Sequence, residues 1–240
     1  MSGAAATLKP RKSPVQARSV VTVETLRVAT IQVLIQEGLS RCTTTRIAER
    51  AGASVGSLYQ YYPNRDALLA AVLEKHLEGI ADAVERACQD HRGKTLRQMA
   101  SAFVVSFLDA KLRNPKEAKA LYAVAEERGG AALAARMRAR IAAAVAAMLE
   151  SAPDARFDDP AMVATIAVGA LVGPVQALLK EDAPAQCRAR QERELVVLVT
   201  AYLQAHQLTS KRPRQAGGNR RTESEAQDRR TVGRPNRARS

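Results

Sequence analysis

Residues 44–63 read Thr44-Thr45-Arg46-Ile47-Ala48-Glu49-Arg50-Ala51-Gly52-Ala53-Ser54-Val55-Gly56-Ser57-Leu58-Tyr59-Gln60-Tyr61-Tyr62-Pro63. Two short helical stretches flank Gly52, which tolerates the positive φ that a tight turn between helices requires. Ser54 is placed to cap the second stretch, and Pro63 closes it. Ile47, Ala51 and Leu58 fall on the facing sides, and Ala48 is small where the two helices would cross. This is the layout of a helix-turn-helix. It leaves Val55, Gly56, Ser57, Tyr59, Gln60 and Tyr61 on the outer side and end of the second helix. Three of the five tyrosines lie within 59–62, in a chain with three Phe and no Trp. The hydroxyls of Tyr59 and Tyr61 suit phosphate contacts, whereas Tyr62 is expected in the core.

Outward from this segment the chain reads as helix throughout. From Val23 to Glu37, Leu26, Thr30, Val33 and Leu34 share one helical face, and Gly38 stops the run. Asn64 can cap a long helix with Leu69, Val72, Leu73, Ile80 and Val84 as its apolar stripe. A helix over about 95–112 carries Met99, Phe103 and Phe107 at i, i+4, i+8; Asn114-Pro115 restarts the chain and Gly129-Gly130 breaks it again. An Ala-rich helix to Glu150, a linker over 153–159, an apolar helix from Pro160 to Lys180 and a last helix over 185–206 complete the series. No stretch alternates with period two for long enough to be a strand, so the fold class is all-α.

The 240 residues carry a net charge of +13, distributed unevenly. Residues 1–22 contribute +4 and residues 207–240 contribute +7, leaving only +2 on the body between them. Residues 1–22 read as a flexible basic arm and 207–240 as a disordered basic tail, both attractive to polyanions. Gly233-Arg234-Pro235 in the tail resembles the centre of a minor-groove hook, with Val232 where a flanking Arg is expected. Binding without sequence preference, to nucleic acid or an anionic membrane surface through these tails, is the alternative role.

Other classes find little support. Cys42, Cys88 and Cys187 lie far apart with no C-x-x-C pair, and each reads as a small buried hydrophobe in a reduced, cytoplasmic setting. His76, His91 and His206 are scattered, and no nucleophile–base constellation or phosphate-cradling glycine loop appears. Neither an enzyme nor a metal or cofactor site is expected. The run Ala161–Leu179 approaches the length of a membrane span, but its Ala, Gly and Pro174 favour a helix buried in a soluble assembly. No membrane partner is expected.

The series Glu37-Gly38, Thr44-Thr45-Arg46-Ile47-Ala48, Ala51-Gly52, Leu58-Tyr59-Gln60-Tyr61-Tyr62 and Asn64-Arg65-Asp66-Ala67-Leu68-Leu69 resembles the tetracycline-repressor (TetR) family over residues 23–75. The resemblance implies a homodimeric transcription regulator, more often a repressor, with double-stranded operator DNA and a small-molecule effector as partners. It implies an N-terminal three-helix domain over 23–68 containing the motif, and a C-terminal helical effector-binding and dimerisation domain over 69–206. Carried over by residue, Thr45 and Arg46 would touch DNA backbone or a base edge. Val55, Gly56, Ser57 and Gln60 would face the major groove, Tyr59 and Tyr61 would hold phosphates, and Arg65 stands where a backbone-contacting Lys is frequent. Val55 and Gly56 offer no side-chain hydrogen bond, which concentrates direct readout on Arg46 and Gln60.

Two further sites are expected in the remainder. Phe103, Phe107, Tyr122, Met137 and Met162 would line an effector pocket between the helices of 95–180. Gly169 and Gly173, a G-x-x-x-G step, with Leu195, Leu198, Val199 and Tyr202 on the last helix, would form the dimer interface as a four-helix bundle.

Overall fold

The computed structural model describes residues 17–126, 129–180 and 185–208. Among the described residues there are α-helices, one 3₁₀ turn over Leu39–Arg41 and no strand. The helices are α1 (Ala17–Glu37), α2 (Thr44–Ala51), α3 (Val55–Tyr61), α4 (Arg65–Asp90), α5 (Leu96–Leu112), α6 (Pro115–Glu126), α7 (Gly130–Leu149), α8 (Pro160–Lys180) and α9 (Ala185–Ala205). The tail after Leu208 and its Gly233-Arg234-Pro235 step lie outside the described residues, as do residues 1–16 of the arm.

Local chemistry sets the helix ends. Thr43, Ser54, Asn64 and Thr95 each accept a backbone N–H from the residue three positions on, the cap geometry that satisfies one of a helix's orphan donors. Thr95 and Gln98 complete a reciprocal capping box, and Asp159 accepts from the Met162 N–H at the start of α8. The arm is shorter than expected: α1 begins at Ala17, six residues before Val23. Nothing between Pro14 and Val23 breaks a helix, so the turn pattern of α1 extends upstream.

Leu26, Thr30, Val33 and Leu34 are all buried on α1, and Thr30 meets its hydrogen-bonding need by donating to the Leu26 carbonyl at 2.7 Å. One apolar core runs from Leu26 on α1 to Leu203 on α9. The axis of the assembly is α4, which packs against α1, α5, α6 and α7. Helix α5 packs in turn on α9, and α7 on α8. Charged pairs hold the outer faces together: Arg140 of α7 donates to Asp82 at 2.7 Å and Glu85 at 2.6 Å on α4, and Arg188 of α9 donates to Asp109 of α5 at 2.7 Å.

The α6–α7 corner depends on a missing side chain. A Cβ on buried Gly130 would lie 2.6 Å from the Ala125 Cα and carbonyl oxygen, so the two helices approach closer there than any other residue permits. The 150s linker is fastened rather than loose, with Asp154 accepting from the Leu96 N–H at 2.9 Å and Ser151 from the Gly93 N–H at 2.9 Å. Helix α8 is long and apolar enough to cross a membrane, with a mean hydropathy of 2.0. One side of it, including Ala164, Val168, Leu171 and Val175, is buried in the bundle; the other is exposed. The Pro174 carbonyl on α8 accepts from Gln191 of α9 at 2.7 Å. Cys42 and Cys88 are buried as expected, but Cys187 is exposed near the start of α9.

Candidate nucleic-acid interface and helical cavity

Helices α2 and α3 meet as the sequence predicts. Gly52 adopts φ 64°, the left-handed conformation, and its N–H returns to carbonyls of the last turn of α2. Ile47 and Leu58 are fully buried beneath the turn, and Tyr62 follows them into the core, where burial raises its hydroxyl pKa. Truncating a side chain so enclosed costs about 2–5 kcal/mol. The inner faces of both helices are therefore committed to packing, which fixes what the outer faces present.

On that outer face Thr45, Arg46, Gly56, Tyr59 and Gln60 are exposed. Val55 and Tyr61 are half-buried, each giving part of its surface to the core. Ser57 is also half-buried, its hydroxyl 2.9 Å from that of the cap Ser54. Arg46 forms an ion pair with Glu37 at the end of α1, and Arg50 donates to Gln36. Arg65 departs from the expected outward reach: its guanidinium donates to the Leu39 carbonyl at 3.0 Å, bracing the start of α4 against the 3₁₀ turn. Thr44 joins this face: its Oγ1 lies 3.3 Å from the Tyr59 hydroxyl. The fifteen-residue separation hides that pairing until the turn is built.

A second site lies where α4, α5, α6, α7 and α8 converge, in a mostly apolar cavity of about 70 Å³. Phe107, Tyr122 and Met137 line it as expected. Phe103 is buried, its ring tilted against that of Phe107 with centroids 6.3 Å apart, and does not reach the cavity. Met162 is 57% exposed on α8 and takes no part, because the residues of α8 that turn inward are Val163, Ala167 and their helical successors. Lys111 and Arg138 also line the cavity, beyond the residues expected there. Lys111 continues the Met99, Phe103, Phe107 series by a further four residues. Burial pushes the Lys111 ammonium down to about 8, with Arg138 adding repulsion. Nearby, Glu117 of α6 lies 3.1 Å from His76 Nδ1 of α4; this contact holds its carboxyl below the usual range despite partial burial.

The residues expected at a dimer interface divide into two sets. Leu195 and Val199 are buried within the protomer and Tyr202 is half-buried. Gly169, Gly173 and Leu198 are exposed, alongside Met162, Ile166 and Val197. The inward assignment of Leu195 and Val199 follows from their i, i+4 spacing with Leu203, which keeps all three against the core.

Residues 26–72 match the family described as bacterial regulatory proteins, tetR family, and residues 95–203 match the tetracyclin repressor-like C-terminal domain. The chain belongs to the TetR family. It is 38% identical over 58 residues to the HTH-type transcriptional regulator BetI 1 of Chromohalobacter salexigens, covering 24% of this chain and 29% of that protein. It is 29% identical over 83 residues to the nucleoid occlusion factor SlmA of Actinobacillus pleuropneumoniae, covering 33% of this chain and 39% of that one. The matched region thus spans well under half the length of these curated relatives. A TetR-family transcriptional regulator structure from Mesorhizobium loti superposes with a TM-score of 0.66 at 19% identity, covering 80% of this chain and all of that one. That likeness is one of fold.

Proposed function

We propose that the protein is a cytoplasmic, ligand-responsive homodimeric repressor that binds a near-palindromic operator. The observation that carries this reading is the capped α2–turn–α3 unit, whose sealed inner face leaves Thr45, Arg46, Gly56, Tyr59 and Gln60 outward on two short helices. Helix α3 would enter the major groove, with Gln60 and Arg46 reading base edges and Tyr59 and Tyr61 holding phosphates. Arg46 would exchange Glu37 for DNA on binding. Residues 23–68 would be the DNA-binding domain and 69–206 the effector-binding and dimerisation domain.

The exposed stripe Met162, Ile166, Gly169 and Gly173 on α8, with Val197 and Leu198 on α9, is the face that a second copy would cover. Two motifs related by a two-fold would meet half-sites about one helical turn apart, roughly 34–36 Å. The cavity of α4–α8 would take the effector. Helices α4 and α6 both line it and both pack against α1, so a ligand there would favour one spacing of the motifs over another.

Selection of bound duplexes from a random DNA library, at near-physiological salt with the full chain, tests the reading. A recovered palindrome is the expected result. Salt-sensitive binding with no recovered motif overturns it in favour of sequence-independent polyanion binding through the basic termini.

A further inference from the structure

The α4–α8 cavity has an unbalanced wall. Its lining includes Lys111, Arg138 and His76, and no Asp or Glu. His76 is already engaged through Nδ1 with Glu117, and Arg138 is exposed, so only Lys111 is both cationic and drawn inward. Among the described residues no carboxylate pairs with it. Its contact is the ring of Tyr122, with Nζ 5.0 Å from the centroid. Around this point Leu73, Leu77, Ile80, Leu121 and Ile141 make the rest of the wall apolar.

A half-buried ammonium whose contact is a ring face is poorly compensated, because a cation–π contact returns part of what removal from water costs. The protein could have placed Met or Leu here and packed the same volume. We propose that the cavity takes a small organic anion, a carboxylate on a compact apolar body, with Lys111 holding the charged end. The inference rests on the reading of this cavity as the effector site. A cationic ligand would meet Lys111 and Arg138 as like charges, and a neutral one would leave the ammonium without a counter-charge. A carboxylate completes the pair while its apolar body covers the leucine and isoleucine walls. Tyr122 would then lie beside the bound group, its hydroxyl free to donate a second hydrogen bond.

The test is calorimetric titration of the full chain with benzoate and hexanoate, and with benzamide, hexanamide and hexylamine as uncharged and cationic counterparts. Lys111→Met is titrated in parallel, and its thermal unfolding is recorded to confirm a folded protein. The expected result is saturable binding of at least one carboxylate, ~10-fold or more tighter than its amide, and loss of that binding in Lys111→Met. Equal binding of the amide or amine, unchanged carboxylate binding in the variant, or no saturable carboxylate binding at millimolar concentration overturns the inference. Operator affinity measured with and without the bound carboxylate separates the two readings. Lys111-dependent binding that leaves operator affinity unchanged supports the anion site and removes its role as effector site.

Discussion

The hydroxyl of Tyr59 lies 3.3 Å from Oγ1 of Thr44, so a hydrogen bond on the exposed side joins the first residue of α2 to the outer face of α3. The buried contacts of Ile47 and Leu58 hold the two helices from within. This outer bond fixes the direction of a phenol that would otherwise rotate freely in solvent. Tyr59→Phe should cost less than about 1 kcal/mol of stability, as befits an exposed neutral bond. Operator affinity should fall several-fold for all sequences alike, measured by fluorescence anisotropy on the selected site and on point variants of it.

Gln60 should behave differently. Its amide offers both a donor and an acceptor to a base edge, so Gln60→Ala should relax preference at particular base pairs by about 1–3 kcal/mol while sparing the others. Repeating the duplex selection with the variant checks this. A uniform loss across all positions would remove Gln60 from direct readout.

The exposed α8–α9 stripe makes a prediction about assembly. Ile166 is 49% exposed and Leu198 is 47% exposed, so charging both should leave the protomer core intact. Ile166→Glu with Leu198→Glu should give a helical monomer by circular dichroism and light scattering. A dimer that persists in the double variant would place the two-fold contact elsewhere.

Among the described glycines, Gly130 leaves the least room for a side chain. Gly130→Ala must move backbone at Ala125, at a cost of about 1–3 kcal/mol. Because α6 and α7 both line the cavity, the same variant should also weaken ligand binding. Chemical denaturation gives the first effect and calorimetry the second.

Lys111 carries a pH signature. Burial holds its pKa at about 8, below the ordinary 10.5 of an unfolded lysine. Below pH 8 both states are protonated and the buried charge opposes folding in full. Between about 8 and 10.5 the folded chain has released a proton that the unfolded chain keeps, so stability rises with pH across that window. Lys111→Met should therefore be the more stable protein at neutral pH, by on the order of 1–3 kcal/mol, with the difference shrinking toward pH 10. Thermal melts of both proteins across that range test it, and an equal gap at every pH would refute it.

Much of this was legible in the sequence because the signals are local. Ser54, Asn64 and Thr95 cap helices within three residues of themselves, and Gly52 and Gly129-Gly130 end them, so helix limits could be read from single residues. The outer face of α3 followed once Leu58 was placed inward. Which apolar residues of α8 and α9 lie exposed did not follow. On α9 the residues Leu195 to Val199 are apolar on every side, and hydropathy alone does not separate a side chain facing its own core from one facing a partner. Met162 failed for the same reason. Lys111 is not legible as a cavity residue, because a polar residue ending an apolar stripe ordinarily marks the turn toward solvent. Here the next helices, α6 and α7, fold over it.

Helix α4 is continuous from Arg65 to Asp90, and its far end is fastened to the Leu39 carbonyl by Arg65. With a fulcrum at Ile80, where the helix passes the cavity, about 22 Å of rigid rod reaches toward the motif. A tilt of ~5° there swings Arg65 through ~2 Å, and opposed swings in a two-fold pair would change the separation of the motifs by ~4 Å. On the proposed reading the rod would be a lever, turning a small displacement at the cavity into a misfit of about one base-pair step, ~3.4 Å, on the DNA.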